Sequence, residues 1–269
     1  MNTTVNTAAL KFVRTDRAPS QQPAQKIGEH KPELLVSPEH HFCPGCGEPI
    51  VMRLISEVLV EQALVQNTIA AWGVGCYTAF TRLTDIESVQ AMHGRAPSLA
   101  TGVKRMKPKA HVFTLQGDGD MVNEGLQEVI HAAARGENIT CILLNNGVFG
   151  ETGGHMTTTS VIGQRTKNTL DGRDAALHGN PIRIANLIAA VDGAAYVARG
   201  SVHDAAGIVA TKRMIQRAFK SQTEGAGFSF VEVLTMCPTG WFVPVKEGPA
   251  YMQNTLGQVH TFGEIKALA

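Results

Sequence analysis

The sequence encodes an α/β fold, a doubly wound and mostly parallel sheet. Apolar runs of strand length, "HVFTLQG" and "ITCILLN", alternate with amphipathic helical stretches, and glycine turns follow the strands. A continuous run such as "ITCILLNNG" suits a strand covered on both faces, as parallel strands are. The chain has 269 residues, 43% hydrophobic and 17% charged, which fits one large domain of this class with a sizeable core.

Residues 1–36 are polar and rich in Thr, Gln and Pro, and are expected to be a flexible N-terminal arm that orders against a partner. Residues 37–269 are expected to form a single domain. "EPIVMRLISEVLVEQAL" starts with Pro49 and carries apolar Ile50, Leu54, Ile55, Val58 and Leu59, a helical stripe. "TIAAWGVGC" reads as a strand running into a glycine loop, and "SVQAMHGRAPSLATGVKRMKP" as a strand, a loop and a helix closed by Pro108. "HVFTLQGDGD" is a strand ending in a tight turn. "MVNEGLQEVIHAAARG" is a helix with its stripe on Val122, Leu126, Val129, Ile130 and Ala133, ending at Gly136. "ITCILLNNG" is the next strand. After a long loop over about 150–180, "PIRIANLIAAV", "AAYVARG", "VHDAAGIVATKRMIQRAFKSQ" and "FSFVEVLT" read as helix, strand, helix and last strand.

Lys+Arg number 24 against 23 for Asp+Glu, so bulk charge favours neither nucleic acid nor a membrane surface as partner. No apolar run approaches the roughly 18 residues of a membrane span, and no signal peptide is read at the N-terminus. Five cysteines in such a chain point to a cytoplasmic protein with reduced thiols or metal ligands.

"GDGD" at 117–120 and "NNGVFG" at 145–150 each follow a strand, with one helix between them. In a right-handed β-α-β unit the two strands are parallel and their C-terminal ends open on one edge, where ligands sit. Asp118 and Asn146 are therefore expected to face one crevice. From Gly117 to His155 the acidic residues are Asp118, Asp120, Glu124, Glu128, Glu137 and Glu151, against Arg135 as the one base. Like charges about 4 Å apart repel by roughly 4 kcal/mol at an effective dielectric of 20, so such a stretch holds an anion only through a cation. A carboxylate, an amide oxygen and a backbone carbonyl suit Mg²⁺, which shares its shell with phosphate oxygens. The glycines let backbone N–H groups approach those phosphates.

Cys141 lies mid-strand among Ile and Leu and reads as a small buried hydrophobe. Cys43 and Cys46 in "CPGCGEP", Cys76 in "GVGC" and Cys237 in "CPTGW" lie in Gly/Pro loops at strand ends or helix starts. These four thiols are expected to converge near the crevice. Spacing leaves both tetrahedral zinc and a cubane iron–sulfur cluster open.

"GDGD…NNGVFG" resembles the thiamin-diphosphate signature. By that resemblance Asp118, Asn146 and the Val148 carbonyl hold Mg²⁺, and Gly117, Gly119, Asp120, Gly150 and Glu151 line the diphosphate. "CPGCG", "GVGC", "HGRAPSLATGVK", "GDGD", "NNGVFGETGG" and "CPTGW" occur in an order similar to that of the thiamin-diphosphate-binding β subunits of 2-oxoacid:ferredoxin oxidoreductases, over roughly residues 37–245. The resemblance implies the thiamin-diphosphate-binding fold and a 4Fe–4S cluster on Cys43, Cys46, Cys76 and Cys237. It also implies cofactor contacts from Val74, Gly75, Cys76, Tyr77 and His93.

The activity so implied is thiamin-dependent oxidative decarboxylation of a 2-oxoacid to acyl-CoA and CO₂, electrons passing to the cluster and on to ferredoxin. The alternatives are a non-oxidative thiamin decarboxylase or synthase, a phenylglyoxylate-type oxidoreductase with another acceptor, and a zinc-stabilised assembly subunit. The glutamate that activates the cofactor is expected on a pyrimidine-binding α subunit, with γ and δ subunits as further candidate partners. "GGHMTTTS…GRDAALHGNPIRI" looks closest to members acting on branched-chain 2-oxoacids or 2-oxoglutarate. Gly153, Gly154 and His155 depart from the usual pattern there, and His131 reads as structural.

Overall fold

The computed structural model describes residues 34–37 and 40–268. Residues 1–33 of the expected arm lie outside the described residues. In chain order the elements are α1 (Glu48–Glu61), β1 (Thr68–Trp72), α2 (Phe80–Leu83), β2 (Glu87–Gln90), α3 (Ala96–Met106), β3 (His111–Gly117), α4 (Leu126–Ala134) and β4 (Thr140–Asn145). A hairpin of β5 (Val148–Phe149) and β6 (His155–Met156) and a short α5 (Ala175–His178) come next. They are followed by α6 (Ile184–Ala189), β7 (Ala194–Ser201), α7 (Ala205–Thr223), β8 (Phe228–Leu234), α8 (Pro238–Trp241) and β9 (Gly263–Lys266).

Seven strands form one sheet in the order β2-β1-β3-β4-β8-β7-β9. All neighbours are parallel except β9, which runs antiparallel to β7. The mostly parallel α/β class read from the alternation is therefore the fold. Helices cover both faces. Val51, Ile55, Phe113, Phe219 and Val231 pack in the layer that includes α1 and α7. Val112, Val129, Cys141, Leu143, Ile188 and Phe230 pack in the layer that includes α4 and α6. Each such side chain, fully buried, contributes about 1.5–3 kcal/mol.

Two elements differ from the sequence reading. The helix expected from Met121 is interrupted: Gly119–Glu124 forms a π-helical turn, and α4 starts only at Leu126. At Gly125 the backbone lies against another loop, and a Cβ there would sit 2.4 Å from the Gly94 carbonyl oxygen. This contact fixes the junction and leaves no room for a side chain. Second, "FSFVEVLT" is not the last strand. The short β9 follows it and pairs along the outer side of β7. Among the described residues no helix is long and apolar enough to cross a membrane.

Pairing of β3 with β4 sets Leu115 opposite Ile142 and Gly117 opposite Leu144. The "GDGD" and "NNGVFG" turns thus leave the same edge side by side. Cys76 follows β1 and Cys237 follows β8 at that edge.

Candidate functional site

Asp118 caps the π-helical turn just beyond β3 and is buried. Its Oδ2 accepts hydrogen bonds from Thr157 Oγ1 at 2.5 Å and Thr159 Oγ1 at 2.6 Å. Burial raises its carboxyl to about 6, against the pull of both hydroxyls and of backbone N–H groups including that of Asn146. Asn146 thus meets Asp118 as the sequence suggests. Its side-chain Oδ1 accepts from the Val148 N–H at 3.1 Å, and its carbonyl accepts from Trp241 Nε1 at 2.8 Å. Val148, whose carbonyl is an expected ligand, is buried in the same turn.

Gly119 has the Phe149 ring against it, 2.2 Å from where a Cβ would stand. Gly150 lies between two thiols: a Cβ there would be 3.5 Å from Cys76 Sγ and 3.6 Å from Cys237 Sγ. The missing side chain at Gly119 makes room for the Phe149 ring, and the one at Gly150 leaves its backbone next to both thiols.

The Asp120 carboxylate is ringed by protein donors. Tyr77 Oη donates to Oδ2 at 2.7 Å, Gln116 Nε2 at 2.9 Å and the Val74 N–H at 3.3 Å. Oδ1 accepts from the Gly94 N–H at 2.7 Å and lies 2.8 Å from His93 Nδ1. Asp120 therefore ties together the loops of Val74 to Tyr77 and of His93, all expected to touch the cofactor. Burial, then the Asp120 charge, holds the Tyr77 phenol well above its ordinary value.

The "CPGC" turn closes through a Cys46 N–H to Cys43 carbonyl bond of 3.0 Å and is fastened beside β8 by Gly47 N–H to the Met236 carbonyl, also 3.0 Å. Cys43 is exposed, Cys46, Cys76 and Cys237 are half-buried, and Cys141 is buried in the core as expected. The four thiols act on one another. Burial, then Glu48, raises Cys46, and Cys237 and Cys43 add to it. Burial pushes Cys237 up to about 12, with Glu48 and Cys43 adding. Cys76 is raised by burial, then by Glu48, Glu151 and Cys237. Among the described residues no three His, Cys, Asp or Glu side chains close on a single-ion site.

Sequence reasoning missed Glu48. At a helix start a glutamate reads as a surface residue answering the dipole, yet here it is buried with Oε2 lacking a hydrogen-bond partner. Burial, then Asp118 and Glu151, pushes its carboxyl up to about 8. Glu48, Glu151 and Asp118 thus act on the thiols of Cys46, Cys76 and Cys237, and several of these groups are driven toward their neutral forms, as donors lacking a cation are. Thr157 and Thr159 were also missed, since they lie 39 and 41 residues beyond Asp118 in a segment without periodicity. His155 stays at the hairpin beside Thr152, 3.2 Å from its hydroxyl, and His131 is exposed on α4.

Residues 69–233 match the family described as thiamine pyrophosphate enzyme, C-terminal TPP binding domain. The chain belongs to the thiamine pyrophosphate enzymes. Its curated relatives in that family are subunits of 2-oxoacid oxidoreductases, in agreement with the motif resemblance. A ketoisovalerate oxidoreductase subunit of Methanothermobacter thermautotrophicus is 38% identical over 199 residues, 74% of this chain and 42% of that one. The 2-oxoglutarate synthase subunit KorB of Archaeoglobus fulgidus is 35% identical over 74% of this chain and 70% of its own. That of Methanocaldococcus jannaschii is 31% identical over 86% and 74%. The chain thus spans well under half the length of the ketoisovalerate oxidoreductase subunit it matches. A solved 2-oxoglutarate:ferredoxin oxidoreductase from Magnetococcus marinus shares the fold, with a TM-score of 0.72, 23% identity, and coverage of 91% of this chain and 87% of that one. The TPP-binding match contains Asp118, Asn146, Val148 and Cys76, whereas Cys43, Cys46 and Cys237 lie outside it.

Proposed function

We propose that this thiamine pyrophosphate enzyme is the β subunit of a 2-oxoacid:ferredoxin oxidoreductase, converting a 2-oxoacid and coenzyme A to acyl-CoA and CO₂ while ferredoxin takes up the electrons. The observation that carries the proposal is the meeting of two donor sets at one sheet edge: the Asp118–Asn146 pair and the cysteines around Gly150. Asp118, the Asn146 side chain and the Val148 carbonyl would hold Mg²⁺, since they are hard oxygen donors of the kind it prefers. Cys43, Cys46, Cys76 and Cys237 would hold a 4Fe–4S cluster, the soft thiolate set that iron–sulfur centres take.

Thiamin diphosphate, when bound, supplies the carbon nucleophile for the 2-oxoacid, and the neighbouring cluster supplies a one-electron acceptor. The chain's own work is placement. Gly119 makes room for the Phe149 ring, Gly150 brings its backbone up to Cys76 and Cys237, and Asp120 fixes Tyr77, His93 and the Val74 loop. Glu48 and Asp118 are both buried there. Closeness of those sets favours oxidation over a simple decarboxylation, which needs no electron acceptor.

The activating glutamate would come from an α subunit, with γ and δ subunits as further candidates. Branched-chain 2-oxoacids and 2-oxoglutarate are the substrate classes, in keeping with the relatives' names. A cytoplasmic setting keeps such thiols reduced. The test is anaerobic purification with whatever subunits accompany the chain. Brown protein whose colour bleaches with a 2-oxoacid plus coenzyme A is the expected result. Colourless, zinc-loaded protein would overturn the proposal.

A further inference from the structure

The expected metal ligands Asn146 and Val148 sit in a turn that is held from below by residues the proposed function does not use. The first asparagine of the pair, Asn145, is fully buried at the end of β4. Its Oδ1 accepts from the Gly147 N–H at 3.0 Å, and its Nδ2 donates to Glu232 Oε1 at 2.7 Å. Glu232 is itself fully buried on β8, and its Oε2 accepts from Arg199 Nε on β7 at 2.7 Å. The His260 ring faces the same carboxylate, with Nδ1 at 3.9 Å from Oε1.

Hydrogen-bond polarity gives this chain one direction. A carboxylate paired to arginine only accepts, so the amide turns its NH₂ toward Glu232 and its oxygen toward Gly147. A flipped amide would set oxygen against carboxylate and NH₂ against N–H. The oxygen so placed holds Gly147, whose backbone has φ +69 in the middle of the Asn146–Gly147–Val148 turn. Thr159 joins the two halves, since its hydroxyl lies 2.6 Å from Asp118 Oδ2 and 3.1 Å from Asn145 Oδ1. A buried ion pair in mid-sheet is poor value for stability, because apolar residues of like volume usually serve as well.

We infer that Glu232 is a positioning residue: through Asn145 it sets the turn that presents Asn146 and the Val148 carbonyl to the metal. This rests on the Mg²⁺ site proposed above. Glu232→Gln lets the side chain at 232 keep accepting from Arg199 but turns its NH₂ toward that of Asn145, so the amide flips or the contact breaks. Adding Asn145→Asp restores the 145–232 bond with its direction reversed, keeps the bonds from Gly147 and Arg199 as they are, and returns the original net charge.

The test is binding of Mn²⁺ in place of Mg²⁺, with thiamin diphosphate present, followed by electron paramagnetic resonance on the protein purified with its accompanying subunits. Glu232→Gln should weaken Mn²⁺ at least about tenfold, as loss of a residue orienting a ligand does. The paired substitution should recover near-wild-type affinity. A residue of merely structural importance has no reason to be rescued by that one partner change. If Glu232→Gln does not accumulate, Asn145→Ala, which leaves the Arg199–Glu232 pair whole, is read in its place and should weaken Mn²⁺ likewise. Unchanged affinity in the single variant, or a paired variant no better than Glu232→Gln, would overturn the inference. Wild-type protein that binds no Mn²⁺, or binds it equally after Asp118→Ala, would instead overturn the metal site itself.

Discussion

Cys76 and Cys237 arrive from strands separated by two others, β1 and β8, and their sulfur atoms meet over the same glycine, Gly150. Gly150 also closes the "NNGVFG" turn. One residue without a side chain therefore adjoins both the proposed sulfur site and the turn that is to carry Mg²⁺.

The cysteines divide by this geometry. Serine at Cys43, Cys46, Cys76 or Cys237 should remove most of the iron from anaerobically purified protein. Cys141→Ser, in the core of β4, should keep the iron and cost only stability. Iron assay with visible spectra checks both. Full iron in Cys237→Ser would refute the four-cysteine assignment.

Asp118→Ala should abolish retention of thiamin diphosphate, with metal affinity down by at least about 100-fold, the upper end of what loss of a mere supporting residue costs. Far-ultraviolet circular dichroism and iron content should stay near wild type. Isothermal titration with the cofactor and Mg²⁺ measures the loss, and normal affinity would place the metal elsewhere.

Thr157→Val removes one of two hydroxyls that donate to Asp118. A hydrogen bond to a charged group is worth about 1.5–3 kcal/mol, so the metal-free variant should be less stable by about that at pH 8, where Asp118 is ionised. Urea unfolding reads it. An unchanged midpoint would mean that the bond contributes nothing.

Glu48 gives a pH dependence. Its folded value, about 8, lies above its ordinary 4.5, so the associated stability is complete below 4.5 and disappears as pH rises toward 8. Metal- and iron-free protein should melt progressively lower across that window, and Glu48→Gln should flatten the decline. Calorimetry at a series of pH values decides it; parallel slopes for the two proteins would rule the assignment out.

How much of this was readable in the chain depends on how local the cause is. "GDGD" and "NNGVFG" announce themselves because a turn after a strand needs glycine and asparagine whatever surrounds it, and the parallel β3–β4 pair then brings them together. The cysteines were placeable for a similar reason, as each lies where a strand or helix begins or ends. Thr157, Thr159 and Glu48 were not, because their roles arise from long-range packing that leaves no periodic trace. The interruption at Gly125 depends on Gly94, 31 positions earlier, and a helical stripe runs through it undisturbed. The β9 strand, with one glutamate and one lysine among four residues, carries too little apolar signal to stand out.

The π-helical turn at Gly119–Glu124 has a bearing on any attempt to transplant this motif. Such a turn holds more residues per revolution than an α-helix, in which each residue advances about 100°. A scaffold in which the same stretch winds as α-helix has room for about one residue fewer there, so the full motif would overfill it while "GDGD" stays intact in spelling. A graft chosen by matching letters alone would carry the signature and lose the register that makes it work.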